Sequence, residues 1–133
     1  MEKFYRFVRS IFPITNVACG RPHDQSFDMD LNGEYMNLIF YSMQPGDVMR
    51  FGKTRLKKIW DNIGKWDAAA FEILREQYEG DAPEDLALVI LEIYYDGGFA
   101  LGYRVADDED NLHLFVDFNR DFIPSRETSA ETY

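Results

Sequence analysis

The segment Leu86-Ala-Leu-Val-Ile-Leu-Glu-Ile-Tyr-Tyr95 decides the fold, because it is a ten-residue run of mostly apolar, β-favouring side chains. Glu92 is the only charged residue in the run. A strand that is apolar on both sides has to be covered on both sides. This run therefore predicts a central strand of a sheet.

Two more strands are predicted after this run. Asp96 to Gly98 predicts a tight turn, and apolar residues then alternate with small or polar ones from Phe99 to Val105. A second alternating segment runs from Leu112 to Phe118, beyond an acidic loop at 107–111. The three segments predict an antiparallel meander with short loops. The polar residues 125–133 predict a flexible tail.

A hairpin is predicted nearer the N-terminus. Phe27 to Leu31 alternates between apolar residues and carboxylates, and Glu34 to Ser42 is rich in Tyr, Ile, Phe and Leu. Asn32-Gly33 lies between them, and both residues tolerate the positive φ of a type I′ turn. Residues 48–51 predict a third short strand after the turn at 44–47.

Helical spacing of apolar residues appears twice. A stripe from Leu56 to Tyr78 predicts one long helix, or two short helices divided near Gly64 and Asp67. Residues 1–12 predict an amphipathic helix that stops at Pro13. We expect this N-terminal helix to cap the core, with docking on a membrane surface or on a partner as the alternative.

The order of these elements predicts an α+β fold in a single domain, residues 1–133. We expect an antiparallel sheet, made of the N-terminal hairpin and the C-terminal three-stranded meander, packed against one long or two short helices. One cysteine excludes an internal disulfide and is typical of a reducing compartment. Without a predicted membrane span or signal peptide, the sequence favours a cytoplasmic location.

Negative charge is concentrated in the C-terminal half. The chain has 14 basic and 24 acidic residues, and residues 81–123 hold eleven acidic residues against two basic ones. This balance argues against nucleic-acid binding, which depends on neutralising phosphates. An acidic patch accelerates association with a basic protein, and nearby aromatic rings can anchor it. The residues predicted to contact such a partner are Glu92, Tyr94, Asp96, Tyr103, Asp107, Asp108, Glu109 and Asp110.

A basic cluster lies near the predicted start of the long helix. Cations there oppose the helix dipole, whereas the amides at a helix N-terminus attract anions. The cluster therefore suggests a weak anion-binding site, with an ordinary solvated face as the alternative. Its members are Arg50, Lys53, Arg55, Lys57 and Lys58.

The sequence predicts no catalytic residue, metal site or cofactor. Asp28-x-Asp30-x-Asn32-Gly33 matches half of a calcium loop, but Ile39 occupies the position that requires a bidentate Glu. The spacing of Asp117, Asn119 and Asp121 is explained by a turn in which a side chain bonds its own backbone. Cys19 and His23 are four residues apart but lack the local signature of a cysteine hydrolase.

The layout from Leu86 to Ile123 is similar to that of small acidic bacterial α+β proteins. Its features are a long apolar strand, an Asp-Gly hairpin, a strand bearing Gly102-Tyr103, an acidic loop and Leu112-His-Leu-Phe-Val-Asp-Phe-Asn119. Some of those families are uncharacterised, and others accompany toxins as immunity proteins. The resemblance covers about a third of the chain. It implies an intracellular protein that binds another protein, and it transfers no catalytic residue.

The leading hypothesis is therefore a non-enzymatic cytoplasmic interaction module, such as an immunity-type inhibitor of a basic protein. The alternative is a small-ligand binding protein or an enzyme with a cleft between helix and sheet. That cleft would lie around Trp60, Trp66, Tyr94 and Tyr103. A third hypothesis is self-association through the N-terminal helix.

Overall fold

The protein is built on a sheet whose strands follow chain order. A computed structural model of the chain describes residues 2–17, 24–77, 86–105 and 112–132. Within these residues the strands form one sheet in the order β1 to β7. The elements are α1 Glu2–Arg9, β1 Ile14–Val17, β2 Gln25–Leu31, β3 Glu34–Phe40, α2 Pro45–Phe51, α3 Lys53–Asp61, α4 Ile63–Gln77, β4 Leu86–Ile93, β5 Phe99–Val105, β6 Leu112–Phe118 and β7 Pro124–Thr132.

The apolar strand β4 lies in the middle of the sheet, as predicted. It pairs antiparallel with β5 but parallel with β3, with Leu38 opposite Leu91. The expectation of a purely antiparallel sheet was therefore wrong at this pair. Parallel neighbours cannot be joined by a hairpin, so the chain has to cross over between them. Helices α2, α3 and α4 lie in that crossover.

The predicted N-terminal hairpin is confirmed as β2 and β3. Asn32 and Gly33 have φ angles of 53° and 86°, which the turn requires. The Asp30 carboxylate accepts a hydrogen bond from the Gly33 amide at 2.6 Å. The half-match to a calcium loop is therefore accounted for by a hairpin turn.

Two other segments differ from their predictions. Residues 125–133 were expected to be a flexible tail, but β7 includes them up to Thr132 and pairs antiparallel with β6. The Asn119 side chain makes this possible, because its Oδ1 accepts from the amides of Asp121 at 2.8 Å and Ile123 at 3.1 Å and so reverses the chain. Residues 48–51 are not a strand but the end of α2, which begins with Pro45 and a capping box between Gln44 and Asp47.

The predicted helical stripe forms two helices, α3 and α4, which was one of the two predicted alternatives. The break lies at Asn62 rather than at Gly64 or Asp67, and the Asn62 side chain donates to the Lys58 carbonyl at 2.9 Å. The N-terminal helix is confirmed as α1, and its buried Phe4 and Val8 belong to the main core. Within the described residues, no helix combines the length and apolarity that a membrane crossing demands.

The helices cover one face of the sheet. Buried side chains from all four helices join one core cluster with alternate residues of β2 to β6, such as Leu38, Leu91 and Leu101. Trp66 is central to this cluster, since its indole donates to the Ile59 carbonyl at 3.0 Å and its ring stacks on Phe122 at 5.2 Å. The opposite face, called the open face below, has a smaller cluster made of strand residues and Tyr94.

The open-face cluster depends on Gly102, because the absence of a side chain there leaves room for Phe115 and Ile90 to pack. A Cβ added there would lie 2.7 Å from the Phe115 ring and 2.9 Å from the Ile90 Cβ. Both neighbours are buried, at 3% and 6% exposure. The aromatic ring thus packs across a glycine of the adjacent strand, and no larger residue fits without displacing it.

We predict that Gly102→Ala lowers the free energy of unfolding by about 1–3 kcal/mol, because the added methyl group overpacks this cluster. Urea denaturation measures the change. Gly64→Ala is the matched control: Gly64 lies in α4 with open space around its Cβ position, so alanine should leave stability unchanged or raise it by up to about 1 kcal/mol. Equal behaviour of the two variants would contradict the packing described here.

Candidate partner-binding face

The open face is rich in carboxylates. Side chains alternate along each strand, so the residues out of phase with the helix-covered core point to this face. In the strands that the structure describes, this alternation gives the open face a single Lys or Arg, Arg104. Its acidic residues are Asp28 and Asp30 on β2, Glu92 on β4, Asp117 on β6, and Glu127 and Glu131 on β7.

Tyrosines accompany these carboxylates. Tyr35 is 59% exposed, and its hydroxyl donates to Asp28 Oδ1 at 2.9 Å. Partial burial and Asp28 raise the pKa of Tyr35, so the hydroxyl remains a donor. Tyr41 is 44% exposed and meets the edge of the Tyr94 ring at a centroid distance of 5.9 Å. The face therefore presents aromatic rings that are fixed by hydrogen bonds or ring contacts.

Tyr94 links two carboxylates. Its hydroxyl lies 2.9 Å from Glu92 Oε2 and 3.3 Å from Asp117 Oδ1. A phenol carries one hydrogen, so it can donate to only one of these oxygens at a time. Burial and the charges of Glu92 and Asp117 raise the pKa of Tyr94 far above its usual value, and the phenol stays protonated. Tyr94 is therefore a fixed, neutral ring between negative groups.

Asp117 carries a charge that its surroundings disfavour. Desolvation raises the pKa of Asp117, and the charges of Asp96 and Glu131 raise it further. The hydrogen bond from Tyr94 acts in the opposite direction but does not cancel these effects. Like charges therefore lie close to Asp117 at this end of the open face.

A groove, called the end groove below, lies at this end of the open face. Its volume is about 440 Å³. The β4–β5 turn supplies Asp96 to its lining, and the segment between β6 and β7 supplies Asn119 and Ile123. Ile123 is 59% exposed, which gives the groove an apolar wall. Tyr94, Asp117 and Ser125 also line it.

Arg55 of α3 holds together the two turns that form the end groove. Its guanidinium donates to the Gly97 carbonyl, through Nε at 3.1 Å and also through Nη2, and Nη2 reaches the Arg120 carbonyl at 2.5 Å. Its Cζ lies 4.6 Å from the centre of the Phe122 ring, a cation–π contact. Phe122 itself has a φ of 64°, which is unusual for a residue with a side chain. Arg55 therefore joins the helix layer to the turns of the groove.

The structure brings three of the predicted partner-binding residues together. Glu92, Tyr94 and Asp96 all lie at the groove end of the open face, although Glu92 is only 8% exposed and acts by orienting Tyr94. The prediction for Tyr103 was wrong. Its side chain is 1% exposed, lies in the main core and donates to Asp67 Oδ1 at 2.5 Å. A partner at the surface cannot reach it.

The proposed cleft between helix and sheet was also wrong. Trp66 and Tyr103 are buried in the main core, whereas Tyr94 lies on the opposite face of the sheet. Trp60 packs against the ring of Phe12 at 5.8 Å. These four residues therefore do not line a common cavity.

The predicted contacts Asp107, Asp108, Glu109 and Asp110 lie outside the described residues. The described residues on either side of this segment are Val105, which pairs with Leu86, and Leu112, which pairs with Thr132, and both lie at the end of the sheet away from Phe99 and Phe118. A strand of this length spans about 20 Å, so Val105 and the turn that carries Asp96 lie at opposite ends of β5. Cys19 and His23 likewise lie outside the described residues.

The basic cluster does not form one anion site. Arg50 pairs with Asp47 on its own helix at 2.5 Å, Arg55 is engaged as described above, and Lys58 Nζ lies 4.6 Å above the Phe122 ring. Lys53 and Lys57 are exposed on α3. The cluster therefore serves mainly contacts within the chain and leaves a basic surface on the helix side.

Sequence reasoning missed Asp28, Tyr35, Tyr41 and Asp117 as members of one surface. The signal was present, because strand alternation puts Asp28 and Asp117 out of phase with apolar core residues. What was missing was the pairing of β3 with β4, which joins the two halves of the sheet. Among the described residues, no group of three or more His, Cys, Asp or Glu side chains is placed to hold a metal ion.

We predict that Arg55→Met lowers the free energy of unfolding by about 1.5–3 kcal/mol, because hydrogen bonds from a charged donor to two carbonyls are lost. Urea denaturation measures it. Lys57→Met is the matched control, since Lys57 is exposed on the same helix and its replacement should change stability by no more than about 0.5 kcal/mol. A similar small effect for both variants would show that Arg55 does not hold the turns.

The raised pKa of Asp117 gives a pH-dependent prediction. Folding favours the protonated carboxyl, so its stabilising contribution is present below the ordinary pKa of 3.8 and is lost as the pH rises through the higher folded pKa. At pH 7, Asp117→Asn should therefore raise Tm by about 1–2 °C, and the difference should vanish below about pH 4. Thermal unfolding from pH 3 to 8 measures it, with Glu34→Gln as the control for net charge. A lower Tm for Asp117→Asn at pH 7 would mean that the Tyr94 hydrogen bond dominates.

The expected resemblance to immunity-type proteins stays a prediction. Comparison of the chain with protein-family models, curated proteins and solved structures finds no match.

Proposed function

We propose that this protein is a non-enzymatic interaction module that binds a basic protein partner through the open face. One observation carries the proposal. Tyr35, Tyr41 and Tyr94 lie among carboxylates on a sheet face to which the described helices contribute no buried residue. Aromatic anchors surrounded by polar groups are the usual composition of a protein-binding surface.

The tyrosines are suited to act as anchors because they are already ordered. Tyr35 is bonded to Asp28, and Tyr94 is bonded to Glu92 or Asp117. A tyrosine has few rotatable bonds, and fixing it before binding reduces the entropy lost on association. The same hydrogen bonds place a carboxylate beside each ring, where it can meet a cation of the partner.

The distribution of charge supports a basic rather than an acidic partner. Carboxylates predominate on the open face, whereas Lys53, Lys57 and Lys58 are exposed on α3, which packs on the other face. A molecule with this charge separation attracts cations to one side. Such steering raises association rates at low salt and favours approach in the binding orientation.

An inhibitor that covers the basic surface of its target is one form of this function, and it is the form that the sequence resemblance suggests. The proposal includes a cytoplasmic location, which the single cysteine favours. The carboxylates of 107–110 would add to the steering of such a partner.

The test compares two triple variants that remove the same number of charges. Asp28→Asn/Asp117→Asn/Glu131→Gln neutralises the open face, and Asp61→Asn/Glu72→Gln/Glu76→Gln neutralises exposed acids of α3 and α4. Stopped-flow association with a fluorescent peptide of alternating Arg, Ser, Lys and Ser is measured at low and high salt. We expect the open-face variant to associate about tenfold more slowly at low salt and the helix variant to change less than about twofold.

Equal slowing of the two variants would contradict the proposal, because net charge alone would then explain the attraction. An association rate that does not respond to salt would do the same. Circular dichroism spectra that match the wild-type spectrum are required of both variants, so that a slower rate reports lost charge rather than lost structure.

A further inference from the structure

The end groove combines three features that suit it to bind a ligand. It is concave, with a volume of about 440 Å³, within the range of about 300–1,000 Å³ of typical ligand sites. It has an apolar wall at Ile123, and it has two carboxylates, Asp96 and Asp117. Among the described residues that line it, none is a lysine or an arginine.

The charge in the groove is left uncompensated by its lining. Desolvation raises the pKa of Asp117, and the neighbouring charges of Asp96 and Glu131 raise it further, so like charges lie close to this side chain. The Arg55 guanidinium reaches the groove turns from the helix side, where it donates to the carbonyls of Gly97 and Arg120 and also attracts Asp96. A cation that enters the groove from the open face would relieve this repulsion.

A metal ion is a poor candidate for that cation. The described residues contain no group of three or more acidic or histidine side chains with suitable spacing. One Asp96 oxygen is already used by the Gly98 amide, at 2.9 Å. The combination of carboxylates, an aromatic ring and an apolar wall instead matches an organic cation on an aliphatic stem.

We propose that the end groove is an anchor pocket for one arginine side chain of the basic partner. This inference rests on the proposed function and specifies how that partner is recognised. The guanidinium is planar, so it can pair with Asp117 through two N–H groups and lie against the Tyr94 ring. The aliphatic stem of the arginine packs along Ile123. A lysine ammonium offers the charge but neither the plane nor the paired donors.

The test uses single-cation probes, so that steering by many charges plays no part. Acetyl-Gly-Arg-Gly-amide, the same tripeptide with Lys, and the same tripeptide with citrulline are titrated into the full ¹⁵N-labelled chain. We expect the Arg peptide to shift the amide resonances of Gly98, Asn119 and Ile123 and to bind about fivefold or more tightly than the Lys peptide. The citrulline peptide, which has no charge, should not bind.

Two single variants separate the groove from the rest of the face. Asp117→Asn should abolish the preference for Arg over Lys. Glu131→Gln removes one charge from the adjacent strand but does not line the groove, so it should keep that preference. Ile123→Ser replaces the apolar wall at an exposed position, so it should lower the affinity for the Arg peptide by about threefold or more.

Failure of this inference is distinguishable from failure of the proposed function. Equal affinity for Arg and Lys peptides, shifts that map elsewhere on the open face, or no binding of any tripeptide would overturn the arginine pocket. In each of these cases the stopped-flow comparison of the two triple variants tests the basic-partner function independently, because it reports steering by the whole face rather than binding in the groove. Binding of citrulline with the affinity of arginine would identify a neutral-ligand groove and would also overturn the pocket.

Discussion

The parallel pairing of β3 with β4 is the constraint on which the rest of the structure depends. It places the N-terminal hairpin beside the C-terminal meander and so produces one continuous sheet. It also forces a long crossover, because the end of β3 and the start of β4 lie at opposite edges of the sheet when the two strands are parallel. The crossover carries α2, α3 and α4, whose buried residues join the core on one face only. The tyrosines and carboxylates of the other face are brought together as a result.

Arg55 connects these two sides of the molecule. It belongs to the helix layer, but its guanidinium hydrogen bonds end on the turns at Gly97 and Arg120. Those turns carry Asp96, Asn119 and Ile123 to the groove. A basic residue that the sequence suggested for weak anion binding, with a solvated face as the alternative, thus holds two turns of the chain in place. The charge pattern was correctly noted, but the role depended on a contact 42 residues away in the chain.

Local signals in the sequence predicted much of the fold. Asn32-Gly33 identified the hairpin, the run 86–95 identified the central strand, and apolar spacing identified the helices. Two kinds of error have physical causes. Residues 125–132 lack apolar alternation, yet they form an edge strand because the Asn119 turn directs the chain back along β6. Tyr103 was assigned to a partner surface, although it shares its strand phase with Phe99 and Leu101, and the helix layer buries all three.

The two outer strands of the sheet bear on how another protein can approach. β1 is four residues long and has a register irregularity between Ile14 and Asn16. β7 has a register irregularity opposite Val116 and Phe118, and it carries the exposed residues Arg126 and Glu127. Short, bulged or charged borders of this kind discourage an incoming chain from extending the hydrogen-bond ladder. Recognition by backbone addition is thereby disfavoured at both flanks. Side-chain contact across the breadth of the pleated surface is the mode of encounter that this architecture favours.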